Sequence, residues 1–155
     1  MHLRPVKNTD SDQIIQIIDD TYQEYGDRVC LDGSESDLKN IEANYQLPDA
    51  AFVVMELNGE IVGCHAVQRI ENSTFTFKRL YVRADKRGSG AGDLLFKWAI
   101  EKAVALKATE IEFWSDVRFH RAHRFFEKYD FVKGHTRDMK DSHNPYSEYL
   151  FTRKL

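Results

Sequence analysis

Cysteine is scarce in this chain. Cys30 and Cys64 are the only two in 155 residues. Neither falls in a spacing that could hold a metal or form a redox pair, which excludes a disulfide scaffold and a zinc module. Both thiols are expected to be reduced and partly buried. Long apolar runs are missing as well: the longest, Ala50 to Met55, falls far short of the roughly 20 residues that cross a bilayer. The first ten residues hold no apolar segment that could serve as a signal peptide, so a cytoplasmic location is expected. The three prolines, Pro5, Pro48 and Pro145, are scattered and mark no linker, and no repeat is visible. An excess of one charge is also absent. The 22 Lys and Arg stand against 25 Asp and Glu, a net −3, which speaks against a dedicated nucleic-acid binder. With 42% hydrophobic and 30% charged residues, one domain spanning residues 1–155 is expected.

The residues that are present divide into periodic segments. Thr9-Asp10-Ser11-Asp12 fits a capping pattern with Thr9 as N-cap, and Ile14, Ile15, Ile18 and Tyr22 follow at helical spacing toward Tyr25-Gly26. A second short helix is expected from Ser36 through Tyr45. Three strand-like segments come next: Ala51 to Leu57, Glu60 to Ile70 and Thr74 to Arg83. Asn58-Gly59 and Asn72-Ser73 between them predict an antiparallel meander. A helix from about Gly92 to Leu106 is expected to carry apolar cover at Leu94, Leu95, Trp98, Ala99 and Ile100. Thr109 to Trp114 reads as a strand. Arg118 to Tyr129 reads as a helix with Phe119, Ala122, Phe126 and Tyr129 facing inward. Phe131 to Thr136 and Ser147 to Arg153 read as a closing hairpin. The expected fold class is α+β, a mixed α/β sandwich in the order β-α-α-β-β-β-α-β-α-β-β, with a central, mostly antiparallel mixed sheet flanked by helices.

Arg87-Gly88-Ser89-Gly90-Ala91-Gly92 stands between a strand and a helix. There, free backbone N–H groups and the positive end of the helix dipole favour a phosphate, and glycine lets the ligand approach the backbone. A Walker loop fails for want of Gly-Lys-Ser/Thr in register. A dinucleotide fingerprint would need its third glycine at position 93, which is Asp93, and the loop follows a meander rather than the first strand of a βαβ unit. A merely tight turn would explain one or two of the glycines, but not three alternating ones after Arg87.

Arg87 to Gly92 resembles the R-G-x-G-x-G/A element of the GNAT N-acetyltransferase superfamily. Lys78-Arg79-Leu80-Tyr81-Val82 resembles its preceding strand, and Leu94-Leu95 its following helix. Trp114 to Phe119 and Arg121 to Lys128 are similar to its fifth strand and fourth helix, in the flavour reading S-D-T-R-F…A-H-R-x-Y-E. Glu148 to Phe151 is similar to its last strand. The resemblance covers essentially the whole chain. It implies acetyl-CoA as cofactor and direct acetyl transfer to a primary amine of a small molecule or peptide, with no metal, by a monomer or homodimer.

On that resemblance the amides of Arg87, Gly88, Ser89, Gly90, Ala91 and Gly92 hold the pyrophosphate. Main-chain groups of Leu80, Tyr81 and Val82 pair with the pantetheine arm, and Arg87 and Arg118 contact phosphates. Two family positions depart from the pattern. The carboxylate of the strand before the loop is Thr76, and the acidic tyrosine of the fourth helix is Phe126, so neither usual proton carrier is there. Asp116 is the candidate base, with a capping or Arg118-paired aspartate as the plainer role. His120 and His123 read as surface histidines, and Tyr129 as packing. The family's glycine before the closing Phe131 is Asp130, so that turn is expected to differ. Arg118, Arg121, Arg124 and Lys128 make the fourth helix basic, for coenzyme phosphates or as a solvated face. Asp19, Asp20, Glu24, Asp27, Asp32, Glu35 and Asp37 crowd the region that borders the acceptor in this fold and would attract a cationic amine. Two rival readings are a non-catalytic acyl-CoA-binding or sensor domain and, more weakly, a nucleic-acid binder using the basic helix.

Overall fold

The alternation of apolar and polar residues between positions 50 and 82 becomes three long antiparallel strands in the computed structural model, which describes residues 1–140 and 144–155. The strands are β1 (His2–Pro5), β2 (Ala50–Leu57), β3 (Glu60–Glu71), β4 (Thr74–Val82), β5 (Glu110–Asp116), β6 (Val132–Met139) and β7 (Tyr146–Lys154). The helices are α1 (Ser11–Gln23), α2 (Ile41–Tyr45), α3 (Ala91–Ala105) and α4 (His120–Lys128). One sheet runs β1-β2-β3-β4-β5-β7-β6. Every neighbouring pair is antiparallel except β4 and β5, so the expected α+β class and mixed sheet hold.

Side chains alternate across the sheet and fill both faces. On one, Ile14, Ile17 and Ile18 of α1 and Leu38, Ile41 and Tyr45 pack onto Phe52, Val54, Cys64 and Ala66. On the other, Phe96 and Ala99 of α3 and Phe126 of α4 pack onto Phe75, Phe77, Phe113 and Phe151. Phe96, Phe113 and Phe126 meet at centroid distances of 4.8–6.4 Å in edge-on and stacked pairs, the favourable arrangements for rings. This aromatic body fixes α3 and α4 at the C-terminal ends of β4 and β5. The cysteines are free, Cys64 buried and Cys30 half-buried. No helix among the described residues is long and apolar enough to cross a membrane.

Several local expectations are corrected. Thr9 lies inside a short 3-10 turn (Asn8–Asp10) and caps nothing. Asp10 accepts from the Lys7 amide at 2.8 Å and pairs with Arg4, so the cap at this turn comes from Asp10 rather than from Thr9. The predicted helix from Ser36 to Tyr45 breaks at Asn40, whose side chain accepts from the Ala43 N–H and starts α2 afresh. Leu94 is 49% exposed rather than packed. α4 begins at His120, because Asp116–Phe119 forms a turn closed by Phe119 N–H to Asp116 C=O. His123, read as a surface residue, is 4% exposed and accounts for part of the inward face. At Asp130 the turn keeps the left-handed backbone that the family's glycine would supply (φ 67°), a conformation aspartate tolerates.

Candidate active site

β4 and β5 run parallel, yet they pair only at Thr74–Glu110 and Phe75–Ile111. Beyond that point they diverge, and among the described residues β4's edge toward β5 has no ladder partner over its last residues. The cause lies in β4 itself. Cys64 opposes Tyr81 and Ala66 opposes Lys78, so His65 faces two residues, Arg79 and Leu80. This is a β-bulge, which bends its strand away from the neighbour. Arg79 takes a left-handed φ of 59°, unusual for a residue with a side chain, and persists only because its surroundings hold it there.

Three contacts hold it. His65 Nδ1–H donates to the Lys78 carbonyl at 3.0 Å and Cys64 Sγ–H to the Arg79 carbonyl at 3.2 Å. The Arg79 guanidinium reaches across the sheet face to Asp37 at 2.5 and 3.1 Å and to the Ser34 carbonyl at 2.8 Å. Burial pushes the Cys64 thiol up to about 12, so it stays a donor. Burial also lowers His65 to about 4, which keeps the ring neutral, with its proton committed to Nδ1. His65 is 1% exposed. The unfolded chain binds a proton here below pH 6.5 while the folded chain does so only near 4, so stability falls as pH drops through that interval. At pH 5 this histidine alone is expected to cost about 2 kcal/mol, or about 4–8 °C in melting temperature relative to pH 7.5. His65→Gln, which keeps a donor but does not titrate, should lose less on the same acidification; equal losses would contradict the assignment.

The divergence opens a cleft of about 450 Å³ between Lys78–Val82 of β4 and Phe113–Asp116 of β5, floored by α3 and α4 and roofed by α1 and its following loop. Ligands settle outside the carboxyl ends of strands where a sheet changes direction, and this is such a place. At its end stands the glycine loop. Gly88 (φ 78°) and Gly90 (φ 90°) are both left-handed, and Gly90 is the N-cap of α3. A Cβ at Gly90 would meet no atom of the described residues within 4 Å, so the space beside this backbone is open to the cleft that Gly90 lines. Alternating backbone of this kind turns successive N–H groups into one concavity, at the positive end of a 15-residue helix.

The sequence-predicted residues gather here, in roles that differ among them. Leu80, Tyr81, Val82, Arg87, Gly88, Gly90, Gly92, Asp116 and Arg118 all border the cleft, and Ser89 and Ala91 are the loop residues between the glycines. Arg87 is turned onto α1: it donates to Glu24 at 2.9 Å, to Thr21 Oγ1 at 3.2 Å and to the Val82 carbonyl at 3.3 Å, and so ties the loop down. Arg118 is paired with Asp116, Nη2 to Oδ2 at 2.6 Å and Nε to Oδ1 at 3.0 Å, and lies over the Tyr25 and Tyr146 rings. The Arg118 N–H also donates to Asp116 Oδ1 at 2.9 Å. Both Asp116 oxygens are therefore engaged by Arg118. Phe126, in the aromatic body, and Thr76, buried on β4, offer no proton. His123 Nε2 lies 2.9 Å from the Asp116 carbonyl, a structural contact, and burial lowers its basicity. Tyr129 donates to Asp93 and is held up near 12 by burial and that bond.

Sequence reasoning misses two features. Arg121 of α4 brings Nη2 to 3.8 Å from where a Gly88 Cβ would stand, so of the basic residues on that helix it is the one at the loop; position on a helix wheel alone does not single it out. Glu35, which falls in the acidic run expected to border the acceptor, is 1% exposed, and its carboxylate accepts from the Cys30 N–H at 3.1 Å.

Comparison with known proteins agrees with this geometry. Residues 48–133 match the family described as "Acetyltransferase (GNAT) domain". Proteins of curated function give no sequence match. Among solved structures, an acetyltransferase from Streptococcus agalactiae superposes with a TM-score of 0.85 at 23% identity, over 99% of this chain and 98% of that one. A GNAT-family acetyltransferase from Staphylococcus aureus gives 0.85 at 20%, over 99% and 98%. A structure from Salmonella typhimurium, solved with its cofactor acetyl-CoA, gives 0.76 at 17%, over 99% and 93%. The match over more than half of its length places the family: this chain belongs to the GNAT acetyltransferases, a family that uses acetyl-CoA.

Proposed function

We propose that the protein is an acetyl-CoA-dependent N-acetyltransferase that moves an acetyl group directly to a primary amine of a small molecule or peptide. One observation carries the reading: the open β4/β5 seam leads straight into the left-handed glycine backbone at the start of α3. The residues present suit the cofactor. The open space beside Gly90 accommodates a pyrophosphate against the amides of Gly88, Gly90, Ala91 and Gly92, with Arg121 alongside; the Arg87 and Ser89 N–H groups donate instead to the Ala84 and Lys86 carbonyls at 3.3 and 3.4 Å. The unpaired edge of β4 offers main-chain partners to the amides of the pantetheine arm, along walls formed by Leu80, Phe113, Ala122 and Phe125. The bound cofactor supplies the activated acetyl thioester. Arg87 braces the loop, and Asp116 holds Arg118 beside the cleft. Coenzyme A released as free thiol, in the presence of an amine and acetyl-CoA, is the direct assay across a panel of polyamines, aminoglycosides and peptides. Amine-dependent release is expected; its absence with every amine would overturn the reading.

A second reading, an acyl-CoA-binding or sensor domain, is favoured by Thr76 and Phe126, which leave the family's two proton positions without a titratable group. It predicts cofactor binding without thiol release.

A further inference from the structure

Ion pairs account for most of the charge around the cleft. Among the described residues, each carboxylate that borders it has a cation: Glu24 has Arg87 at 2.9 Å and Asp93 has Lys128 at 2.9 Å. Asp116 and Asp27 share Arg118 at 2.6 and 3.9 Å, and Glu148 has Arg137 at 2.7 Å. The bordering cations are paired in turn, Arg79 with Asp37, Arg87 with Glu24 and Arg118 with Asp116. Among the described residues, Arg121 and Lys78 are the two cations on the cleft wall without a carboxylate partner. They stand at opposite ends. Arg121 is at the glycine loop. Lys78 is at the far end of the free stretch of β4, next to the registers where β4 and β5 pair.

Alternation along the strands fixes what surrounds Lys78. Phe77 and Phe113 pack toward α3 and α4, so Lys78 and Trp114 stand on the opposite face, beneath α1 and the loop that follows it. Lys78 is exposed, and a ligand in the cleft can reach it. The Trp114 ring lies under the Arg137 guanidinium at 4.2 Å, and Glu148 holds Arg137 there at 2.7 and 3.0 Å. The nearby carboxylates therefore already serve other cations, Glu148 serving Arg137 and Asp37 serving Arg79. Partial desolvation disfavours the Lys78 charge, Asp37 supports it, and the Arg79 and Arg137 guanidiniums oppose it, with a net lowering of its affinity for a proton. An anion seated against Lys78 supplies the missing counter-charge.

We propose, on the ground of the transferase reading, that the acceptor is an amino acid and that Lys78 determines this specificity by binding its carboxylate. The two unpartnered cations then divide the two ligands between them: Arg121 faces the phosphates of the cofactor, and Lys78 faces the acceptor. The glycine loop holds one end of the cofactor, so the acceptor meets it from the other, where Lys78 stands. In an α-amino acid a single carbon separates carboxylate from amine, so anchoring the first sets the second beside the seam. Trp114 offers an apolar wall to the amino acid's side chain. In the transfer the amine nitrogen bonds to the acetyl carbon and the carbon–sulfur bond breaks. Of the two protons that the ammonium nitrogen gives up, one goes to the thiolate sulfur and one to solvent. The carboxylate keeps its charge throughout, and no oxidant or reductant is needed.

The test uses the full chain and compares leucine and phenylalanine with isopentylamine and phenethylamine, the same amines without the carboxylate. Wild type is expected to favour the amino acids by about 10- to 150-fold in kcat/KM, the value of one hydrogen bond to a charged group. Lys78→Met should lose that preference, mainly through KM, and keep its rate with the bare amines. Lys78→Glu should reverse the order, because it repels the carboxylate and attracts the ammonium group. Acetyl-CoA binding checks that both variants fold. A readout apart from turnover is calorimetric titration of the coenzyme A complex with either amino acid: binding is expected in wild type and its loss in Lys78→Met. A wild type that acetylates the bare amines as fast as the amino acids, or a Lys78→Met variant that keeps the preference, would overturn the carboxylate site alone. A wild type that binds acetyl-CoA yet acetylates no amine, amino acids included, would remove the transferase reading. The titration then still decides the site: amino acid binding that depends on Lys78 upholds it, and no such binding overturns it.

Discussion

Gly90→Ala is expected to weaken acetyl-CoA binding at least tenfold while leaving the fold intact. The new methyl group meets no atom of the described residues within 4 Å, so none of the core described above is disturbed. Two other costs arise. At φ 90° and ψ −1° an L side chain is strained by about 1–2 kcal/mol, which the helix N-terminus relieves by turning its amides out of the concavity. The methyl group also occupies the space beside the backbone where a phosphate oxygen must come to within hydrogen-bond distance. Each hydrogen bond to a charged group is worth about 1.5–3 kcal/mol, so one lost contact lowers affinity about 10- to 150-fold. Calorimetric titration with acetyl-CoA reads the change. An unchanged dissociation constant would mean that the phosphates lie elsewhere.

Arg79→Met should produce the largest loss of stability of any single change near the cleft. Arg79 and Asp37 are 13% and 19% exposed in their side chains, and their contacts join β4 to the turn before α2 across 42 positions of sequence. Burial alone would push the Asp37 carboxyl up, but Arg79 and the Tyr45 hydroxyl at 2.5 Å outweigh it and hold it below the usual carboxylate range. Removing the guanidinium leaves that carboxylate without its cation, which costs about 3–5 kcal/mol. For a domain of this size the melting temperature should fall by about 6–20 °C. Asp37→Leu in the same chain removes the stranded charge and should recover much of the loss. A double variant no more stable than Arg79→Met would contradict this account. The bulge is expected to relax with the loss of its anchor, so acetyl-CoA affinity should fall in the single variant as well.

The features legible in the sequence are local. The Asn58-Gly59 hairpin, the change of period at residue 84 and the Arg87–Gly92 loop each announce themselves within a few residues, and each takes the expected form. The opening of the cleft cannot be read this way. It depends on a bulge that sets two residues of β4 against His65, and on a parallel pairing that stops after two registers; both are decided by partners far away in sequence. The acidic run from Asp19 to Asp37 shows the same limit. Asp32 is indeed open to solvent, its side chain 92% exposed, as a charged residue is by default. Asp27 and Asp37 are drawn inward by Arg118 and Arg79, partners 91 and 42 positions away, and Glu35 is buried with its carboxylate accepting from the Cys30 N–H. His123 escapes a sequence reading for a related reason: on a helix with so basic a face, the histidine that faces Ser115 and the Asp116 carbonyl looks no different from one that faces water.

The central claim, that the seam between β4 and β5 and the glycine loop together hold acetyl-CoA, is tested most directly by the melting temperature with and without that ligand. NADH and ATP, which also carry a pyrophosphate or triphosphate, serve as controls. At a hundred times its dissociation constant a ligand adds about 2.7 kcal/mol, a rise on the order of 5–10 °C for this domain. A rise with acetyl-CoA alone is the predicted result. No rise at millimolar acetyl-CoA, or an equal rise with ATP, would contradict the assignment of the cleft.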